Sequence, residues 1–251
     1  MNKTDFIGSF AKGLSVIEAF NAEKSRLAIA DIAQITGLDR ATARRCLLTL
    51  HHLGYAEYDG KYFTLTPRVL RLGMGALSAL PLPKVVQPWL DQLSDQIGQS
   101  CSVAILDEVE IVYVARAAQR RVMSIGLMPG SRLPLHCTSM GRVLLAYLEE
   151  EKAQELIERC DLTPRTYKSL SRSEDIQKRI QIVRERGYEI IDQEVELGLR
   201  SIAVPLFNAH GHVVAALNVG VAAVHSSPEE LVTLYLESLQ RIQTSLRSIL
   251  R

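Results

Sequence analysis

Residues 27–66 read LAIADIAQITGLDRATARRCLLTLHHLGYAEYDGKYFTLT, and the order of elements within them decides the first part of the fold. Ile29, Ile32, Ala33 and Ile35 repeat at helical spacing and stop at Gly37. Asp39 then offers an N-cap for a second helix that ends at Gly54. Residues 55–58 and 61–64 alternate around Asp59-Gly60, a turn signal for a hairpin. Helix, tight turn, helix and hairpin is the order of a winged helix-turn-helix.

On a 3.6-residue period Ala43, Cys46, Leu47, Leu50 and Leu53 share one face of the second helix and should pack inward. Leu48 falls outside that stripe. Arg45, Thr49 and His52 lie opposite, with Thr42 and Arg44 to either side. A solvated amphipathic face would explain an isolated charged helix, but in this context the helix is the one that enters a DNA major groove. Arg44 and Arg45 are the candidates for reading bases, because a guanidinium can grip guanine with two hydrogen bonds. Arg40, Thr42 and Lys61 of the hairpin are candidates for phosphates, and Thr49 shares their face.

Composition sets broader bounds. The 251 residues, 47% hydrophobic and 23% charged, suit one large or two medium globular domains. No apolar run is long enough to span a bilayer, and MNKTDFIGSF lacks the apolar core of a signal peptide. A cytoplasmic protein without membrane partners is expected. The net charge of +1 is uninformative, so its distribution matters. Residues 1–82 carry a balance of +3 and the remainder −2, a mild asymmetry that favours phosphate contact in the first part. Cys46, Cys101, Cys137 and Cys160 lie far apart with no CxxC pair, so no metal site is expected.

A short amphipathic helix over residues 9–20 (Leu14, Val16, Ile17, Phe20) should precede the helix-turn-helix. Pro67 opens another helical run through Leu70, Leu77 and Leu80, broken at Leu80-Pro-Leu-Pro83. The expected organisation is a winged domain over 1–66, a linker helix over 67–83 and a second domain over 84–251. In the last, a helix over 84–99 precedes strand-like runs at 101–106, 111–117 and 122–128. Helices follow at 139–148, 150–160 and 173–186, then strands at 188–194, 199–207 and 213–221, and a helix from Pro228 onward. The fold class is α+β: a six-stranded antiparallel sheet flanked by helices, in the manner of a sensor domain.

Three segments carry further chemistry. PGSRLPLHCTSMGR (129–142) brings Thr138 and Ser139 to a helix start, where exposed amides favour an anionic group. An ordinary N-cap is the plainer alternative, and Arg132 and Arg142 could assist an anion or face solvent. His136-Cys137 is a poor base and nucleophile pair, since adjacent side chains seldom face each other, no orienting group is evident and GxSxG is absent. In YEIIDQEVELGLRSIAVPLF (188–207), Asp192, Glu194 and Glu196 alternate before Gly198; paired carboxylates can serve acid/base chemistry, but a solvated strand edge is expected for most of them. Asn218 within AALNVGV is a potentially buried amide that a ligand could satisfy.

Together SFAKGLSVIEAF, LAIADIAQITGLDRATARRCLLTLHHLGY, LPLHCTSMGRVLLA and DQEVELGLRSIAVPLF resemble the IclR family of bacterial transcriptional regulators over nearly the whole chain. DFIGSFAKGLSVIEAF and LHCTSMGRVLLA look most like its β-ketoadipate-pathway regulators, of the protocatechuate and 4-hydroxybenzoate type. Arg142 stands where the family usually has Lys. The resemblance implies a winged domain, a linker helix and a GAF-like effector domain, with dimers through the first and dimers of dimers through the last. It implies a double-stranded, (pseudo)palindromic operator as partner and a small organic acid as effector: protocatechuate, 4-hydroxybenzoate or β-ketoadipate. RNA polymerase would be a partner if the regulator activates.

Carried over by position, the effector pocket would comprise Ile125, Gly126, Met128, Cys137, Thr138, Ser139, Asp192, Leu199, Ser201, Asn218 and Gly220. Asn218 and Gly220 replace serines found in some members, so hydrogen bonding to the effector should differ. No cofactor and no catalysis are implied. Two other readings fit the same residues: a thiol-based redox sensor using Cys101 or Cys137, and a small-acid enzyme anchored to DNA.

Overall fold

A computed structural model describes residues 6–21, 24–73, 81–119 and 126–250, which fall into two compact units, 1–79 and 80–251. In the first unit α1 (Gly8–Glu18), α2 (Ile29–Thr36) and α3 (Arg40–His52) surround a small core. Gly37 caps α2 in the left-handed conformation (φ 70°), which lets the chain turn sharply into α3. Asp39 caps α3 by accepting the Thr42 amide at 2.9 Å. Strands β2 (Ala56–Tyr58) and β3 (Phe63–Leu65) form the wing, and β1 (Arg26–Leu27) pairs with the far side of β3.

Ala43, Leu47 and Leu50 point inward as the period requires. Leu48 also packs, partly buried, against this core, so it has the partners its phase did not reveal. Leu53 departs in the other direction. It is the C-cap of α3, with its N–H still bonded to the Thr49 carbonyl at 2.9 Å, and is nevertheless 49% exposed.

After β3 a single 3₁₀ turn (Pro67–Val69) leads into helix at residues 70–73. The expected continuation over 74–80 lies outside the described residues. The helix expected at 84–99 begins earlier, as α4 (Pro81–Ile97): both Pro81 and Pro83 sit in its first turn, where a missing N–H costs nothing.

The second unit is built on one six-stranded antiparallel sheet. Its strands are β4 (Ser100–Asp107), β5 (Glu110–Ala117), β6 (Arg132–Pro134), β7 (Glu189–Asp192), β8 (Leu199–Phe207) and β9 (Val213–Ala222), in the order β6-β5-β4-β9-β8-β7. The third strand of the first group is therefore Arg132–Pro134. Residues 126–128, expected to end a strand, are not in one, and 122–125 lie outside the described residues. The short β6 ladders with Val112 and Ile111 of β5.

Each sheet face has its own core. Cys101, Val103, Ile202, Val204, Leu217 and Val219 meet α4 and the C-terminal helical segment, which runs as α8 (Pro228–Leu231), a π-helical turn (Val232–Leu236) and α9 (Glu237–Leu246). Ala104, Ile111, Tyr113, Ala203 and Ala216 meet α5 (Ser139–Ala146), α6 (Glu150–Arg159) and α7 (Ser173–Arg186). β8 and β9 are buried on both faces, which is why they read as continuous apolar runs rather than alternating ones. None of the described helices is long and apolar enough to cross a membrane.

Candidate DNA interface and effector cavity

On α3 the side chains of Arg40, Arg44 and Arg45 are exposed, and among the described residues none of them makes an ion pair. Their charges are free for phosphates or base edges. Thr42 and Thr49 are differently employed. The Thr42 hydroxyl donates to Asp39 Oδ2 at 2.7 Å, and that of Thr49 to the Arg45 carbonyl at 2.8 Å. Their protons are spent on the helix itself. Lys61 sits exposed on the wing with its ammonium 4.9 Å from the Tyr62 ring centroid; Arg26 covers the same ring at 4.5 Å and pairs with Asp59. Asp59 accepts the amides of Tyr62 and Lys61, which with Arg26 holds its carboxyl well below the usual range and fixes the wing tip.

The second site starts at α5. Thr138 caps the helix by accepting the Gly141 amide at 3.1 Å, and its hydroxyl donates to the Pro134 carbonyl at 2.9 Å. Gly141 is required there: an added Cβ would lie 2.1 Å from the Leu135 carbonyl oxygen. Within this turn Ser139, the residue after Thr138, faces the sheet, where its Oγ lies 2.8 Å from that of Ser201.

Cross-strand register supplies the floor of a cavity. Ser102 of β4 pairs with Arg116 of β5 and with Asn218 of β9; Gly220 of β9 pairs with Ser100 and with Ser201. The cavity over them is lined by Ser100, Tyr113, Arg116, Thr138, Ser139, Ser201, Asn218 and Gly220, with Leu127, Leu133, Met140, Val195 and Leu199 as apolar walls. Its volume is about 30 Å³. That is room for a water or two, so a ring-sized ligand must displace side chains of these walls.

Thr138, Ser139, Leu199, Ser201, Asn218 and Gly220, all named from sequence, thus meet around one cavity. Other candidates do not join them. Cys137 is fully buried but does not line it. Gly126 and Met128 do not line it either, and Met128 is exposed. Ile125 lies outside the described residues. Asp192 sits in a different cleft, paired with Lys168 at 2.6 Å and with Arg200. Partial burial opposes its ionisation, but these two cations hold its carboxyl at about 2.

Sequence reasoning missed Arg116, Tyr113 and Ser100. Along a regular strand Tyr113 and Arg116 would point to opposite faces. Val103 pairs with Ala115 and the adjacent Ala104 with Tyr113, so β5 carries one extra residue, Val114, at a bulge. A bulge re-aims the side chains beyond it, and both residues reach the same cavity. The Arg116 guanidinium donates from Nη1 to Ser102 Oγ at 2.8 Å. Its Nε is buried, and among the described residues it has no hydrogen-bond partner. Burial lowers its pKa, opposed by Tyr113 and Cys101.

Arg142 neither faces solvent nor reaches for an anion in the cavity. It is 1% exposed and donates from Nε to the His136 carbonyl at 2.7 Å, and through both Nη atoms to Glu194. Glu189, also buried, collects Arg142 at 3.2 Å, Arg179 at 2.8 Å and Arg186. Glu194 is therefore an interior ion-pair partner and not part of a solvated edge. Beside this network the ring of His136 is buried, and desolvation together with the Arg142 charge pushes its pKa down to about 4. Burial pushes the thiols of Cys101 and Cys137 up to about 12 and about 11. Such thiols lack the thiolate character that redox sensing needs.

A winged DNA-binding unit followed by a sheet-based unit with an internal cavity defines a transcriptional regulator that carries its own sensor. Residues 9–60 match the IclR helix-turn-helix domain, and residues 74–246 match the bacterial transcriptional regulator IclR C-terminal domain. The chain belongs to the IclR family of bacterial transcriptional regulators. It is 45% identical over 236 residues to the Pca regulon regulatory protein of Pseudomonas putida, covering 94% of this chain and 81% of that protein. It is 39% identical to the p-hydroxybenzoate hydroxylase transcriptional activator of Acinetobacter baylyi, covering 98% and 92%. Among solved structures it is similar to a double mutant of the Acinetobacter PobR inducer-binding domain in complex with 3-hydroxybenzoic acid, with 36% identity and a TM-score of 0.64 over 68% of this chain and all of that one.

Proposed function

We propose that this chain controls genes of aromatic-acid catabolism in response to a small organic acid held in the Ser139–Ser201 cavity. Protocatechuate, 4-hydroxybenzoate and β-ketoadipate are the leading effectors. Its relatives support the pathway, since they regulate the Pca regulon and p-hydroxybenzoate hydroxylase. The observation that carries the site is the convergence of Ser139, Ser201, Asn218 and Arg116 on one apolar-walled cavity.

Residues 1–66 are the output and 84–251 the effector-binding and oligomerisation domain, with the 67–83 segment as linker. Arg44 and Arg45 read bases, while Arg40 and Lys61 hold phosphates. Phe10, Leu14, Leu53 and Leu72 leave an exposed apolar groove along α1 and α3 that suits a second copy of the same unit. Two winged units on a (pseudo)palindrome follow, as a dimer or dimer of dimers, working in the cytoplasm as activator or dual regulator with RNA polymerase as partner. Because a cavity of about 30 Å³ is too small for a ring, binding shifts α5 or the walls around it, and that shift changes the spacing of the winged units.

A thermal-shift screen of the full chain against aromatic acids, β-ketoadipate and related intermediates tests this. A strong rise in melting temperature with one of them is expected; no shift with any of them contradicts the effector reading.

A further inference from the structure

Among the described residues nothing balances the charge of Arg116 in the cavity. A half-buried guanidinium ordinarily has a carboxylate close by, because removing a cation from water is costly unless it is paired. Among the described residues no carboxylate lies within ion-pair distance of Arg116. Among those residues its side chain bonds to the neutral Ser102 hydroxyl, and its buried Nε has no hydrogen-bond partner. By contrast Arg142, Arg179, Arg186 and Arg200 are each paired with buried or half-buried carboxylates. The bulge at Val114 is what brings Arg116 into the cavity, so its placement there is a property of the fold.

The opposite wall is neutral and hydroxylic. Ser139 and Ser201 face each other at 2.8 Å, and Ser139 is the first residue of α5, whose N-terminal amides favour an oxygen acceptor. The Arg116 guanidinium reaches Ser102 on β4, while Ser201 stands on β8, two strands away. Two strand spacings are about 10 Å. Between those strands runs β9, with Asn218 beside Ser102 and Gly220 beside Ser201, and Leu127, Met140 and Leu199 are among the apolar walls of the cavity.

Resting on the effector reading above, we propose that the cavity takes a two-ended acid: a carboxylate on Arg116 and a second oxygen at the Ser139–Ser201 pair, joined by an apolar middle of ring size. A six-membered ring with a carboxylate and a distal hydroxyl fills the interval once a hydrogen bond at each end is counted. A six-carbon chain ending in carboxylates fills it as well. Arg116 then selects acids over neutral analogues, and the serine pair selects two-ended acids over one-ended ones.

Isothermal titration of the full chain tests the assignment with five probes: 4-hydroxybenzoate, protocatechuate, β-ketoadipate, benzoate and neutral 4-hydroxybenzamide. The wild type should bind at least one of the two-ended acids. For a hydroxybenzoate, the amide should bind roughly 10–100-fold more weakly, the range of a lost charge-assisted hydrogen bond. R116Q should abolish this preference, R116K should restore part of it, and S139A with S201A should bring the two-ended acid down towards benzoate. If β-ketoadipate alone binds, R116Q should weaken it by a similar factor and benzoate should remain inert. Circular dichroism and melting temperature show that each variant is folded; since R116Q removes an unpaired cation, it should not destabilise the empty protein. Undiminished acid preference in folded R116Q, or benzoate binding as tightly as the two-ended acids, overturns the assignment while leaving the cavity as the effector site. Failure of all five probes on the wild type overturns both.

Discussion

Ser139 at the start of α5 and Ser201 at the third residue of β8 place their hydroxyl oxygens 2.8 Å apart, although 62 residues separate them in sequence. The contact exists because the first turn of α5 packs tightly on the loop before it, with Ser139 turned to β8. Thr138 and Gly141 shape its first turn, and Arg142 ties that turn to the loop after β7. The cavity wall and the packing of the domain are thus one structure. Perturbing either should be felt in the other.

Gly141 gives the most direct mechanical test. In G141A the new methyl group meets backbone, which cannot rotate away. Overpacking of this kind costs about 1–3 kcal/mol or more. Chemical denaturation should show that loss together with weakened effector binding; a variant of wild-type stability would mean that α5 is not held as described.

The Arg142 network should behave as a buried ion pair. R142M strands Glu194 in the interior, while Glu189 keeps Arg179 and Arg186, and the variant should destabilise by about 3–5 kcal/mol. R142K keeps the charge but cannot grip Glu194 with two nitrogens while also reaching the His136 carbonyl, so an intermediate loss is expected. Equal stability of R142M and the wild type in urea titrations would contradict the network.

His136 makes a pH prediction. Its folded-state value of about 4 lies below the ordinary 6.5, so the unfolded chain binds more protons between those limits. Its contribution is fully present above about pH 6.5 and is lost as the pH falls towards 4, with a slope of up to about 1.4 kcal/mol per pH unit. Asp192, held at about 2, acts in a lower window and does not overlap. Comparing unfolding free energies of the wild type and H136Q from pH 4.5 to 7 should show a flatter profile in the variant. Parallel profiles would contradict a buried neutral imidazole.

On DNA the two candidate base readers should separate from the phosphate contacts. R44A or R45A should cost roughly 1–3 kcal/mol on the preferred sequence and relax specificity at one position. R40A and K61A should weaken binding to all sequences alike and lower the salt slope by about one. T42A should act through the lost Asp39 contact, as a small fall in stability. Fluorescence anisotropy across a salt series distinguishes these cases; identical slopes for all variants would leave the division of roles without support.

Much of this was legible because its signals are local. Gly37, Asp39 and Asp59-Gly60 each specify a turn or cap within a few residues, so α2, α3 and the wing could be placed from sequence. The apolar run of β8 matches its strand bounds for the same reason. What escaped depends on distant partners. Arg142 looks like any helix-borne cation until Glu189 and Glu194, 47 and 52 residues away, are folded against it. Arg116 was hidden by one extra residue in β5, since alternation assigns it the wrong face and nothing in EIVYVARA marks the bulge. Asp192 was placed in the pocket by resemblance alone, and in the structure its charge is already claimed by Lys168 and Arg200.

The central claim is that occupation of the cavity changes how the winged units engage DNA. The measurement is a footprint and affinity series on a DNA fragment selected by the full protein itself. It is made with and without the acid that gives the largest thermal shift, in the wild type and in S139L, whose side chain fills the cavity. The account predicts that the acid alters affinity, footprint or bending for the wild type and leaves S139L unresponsive while still DNA-bound. An acid that binds the wild type but changes none of these, nor transcription from the same fragment, would contradict it.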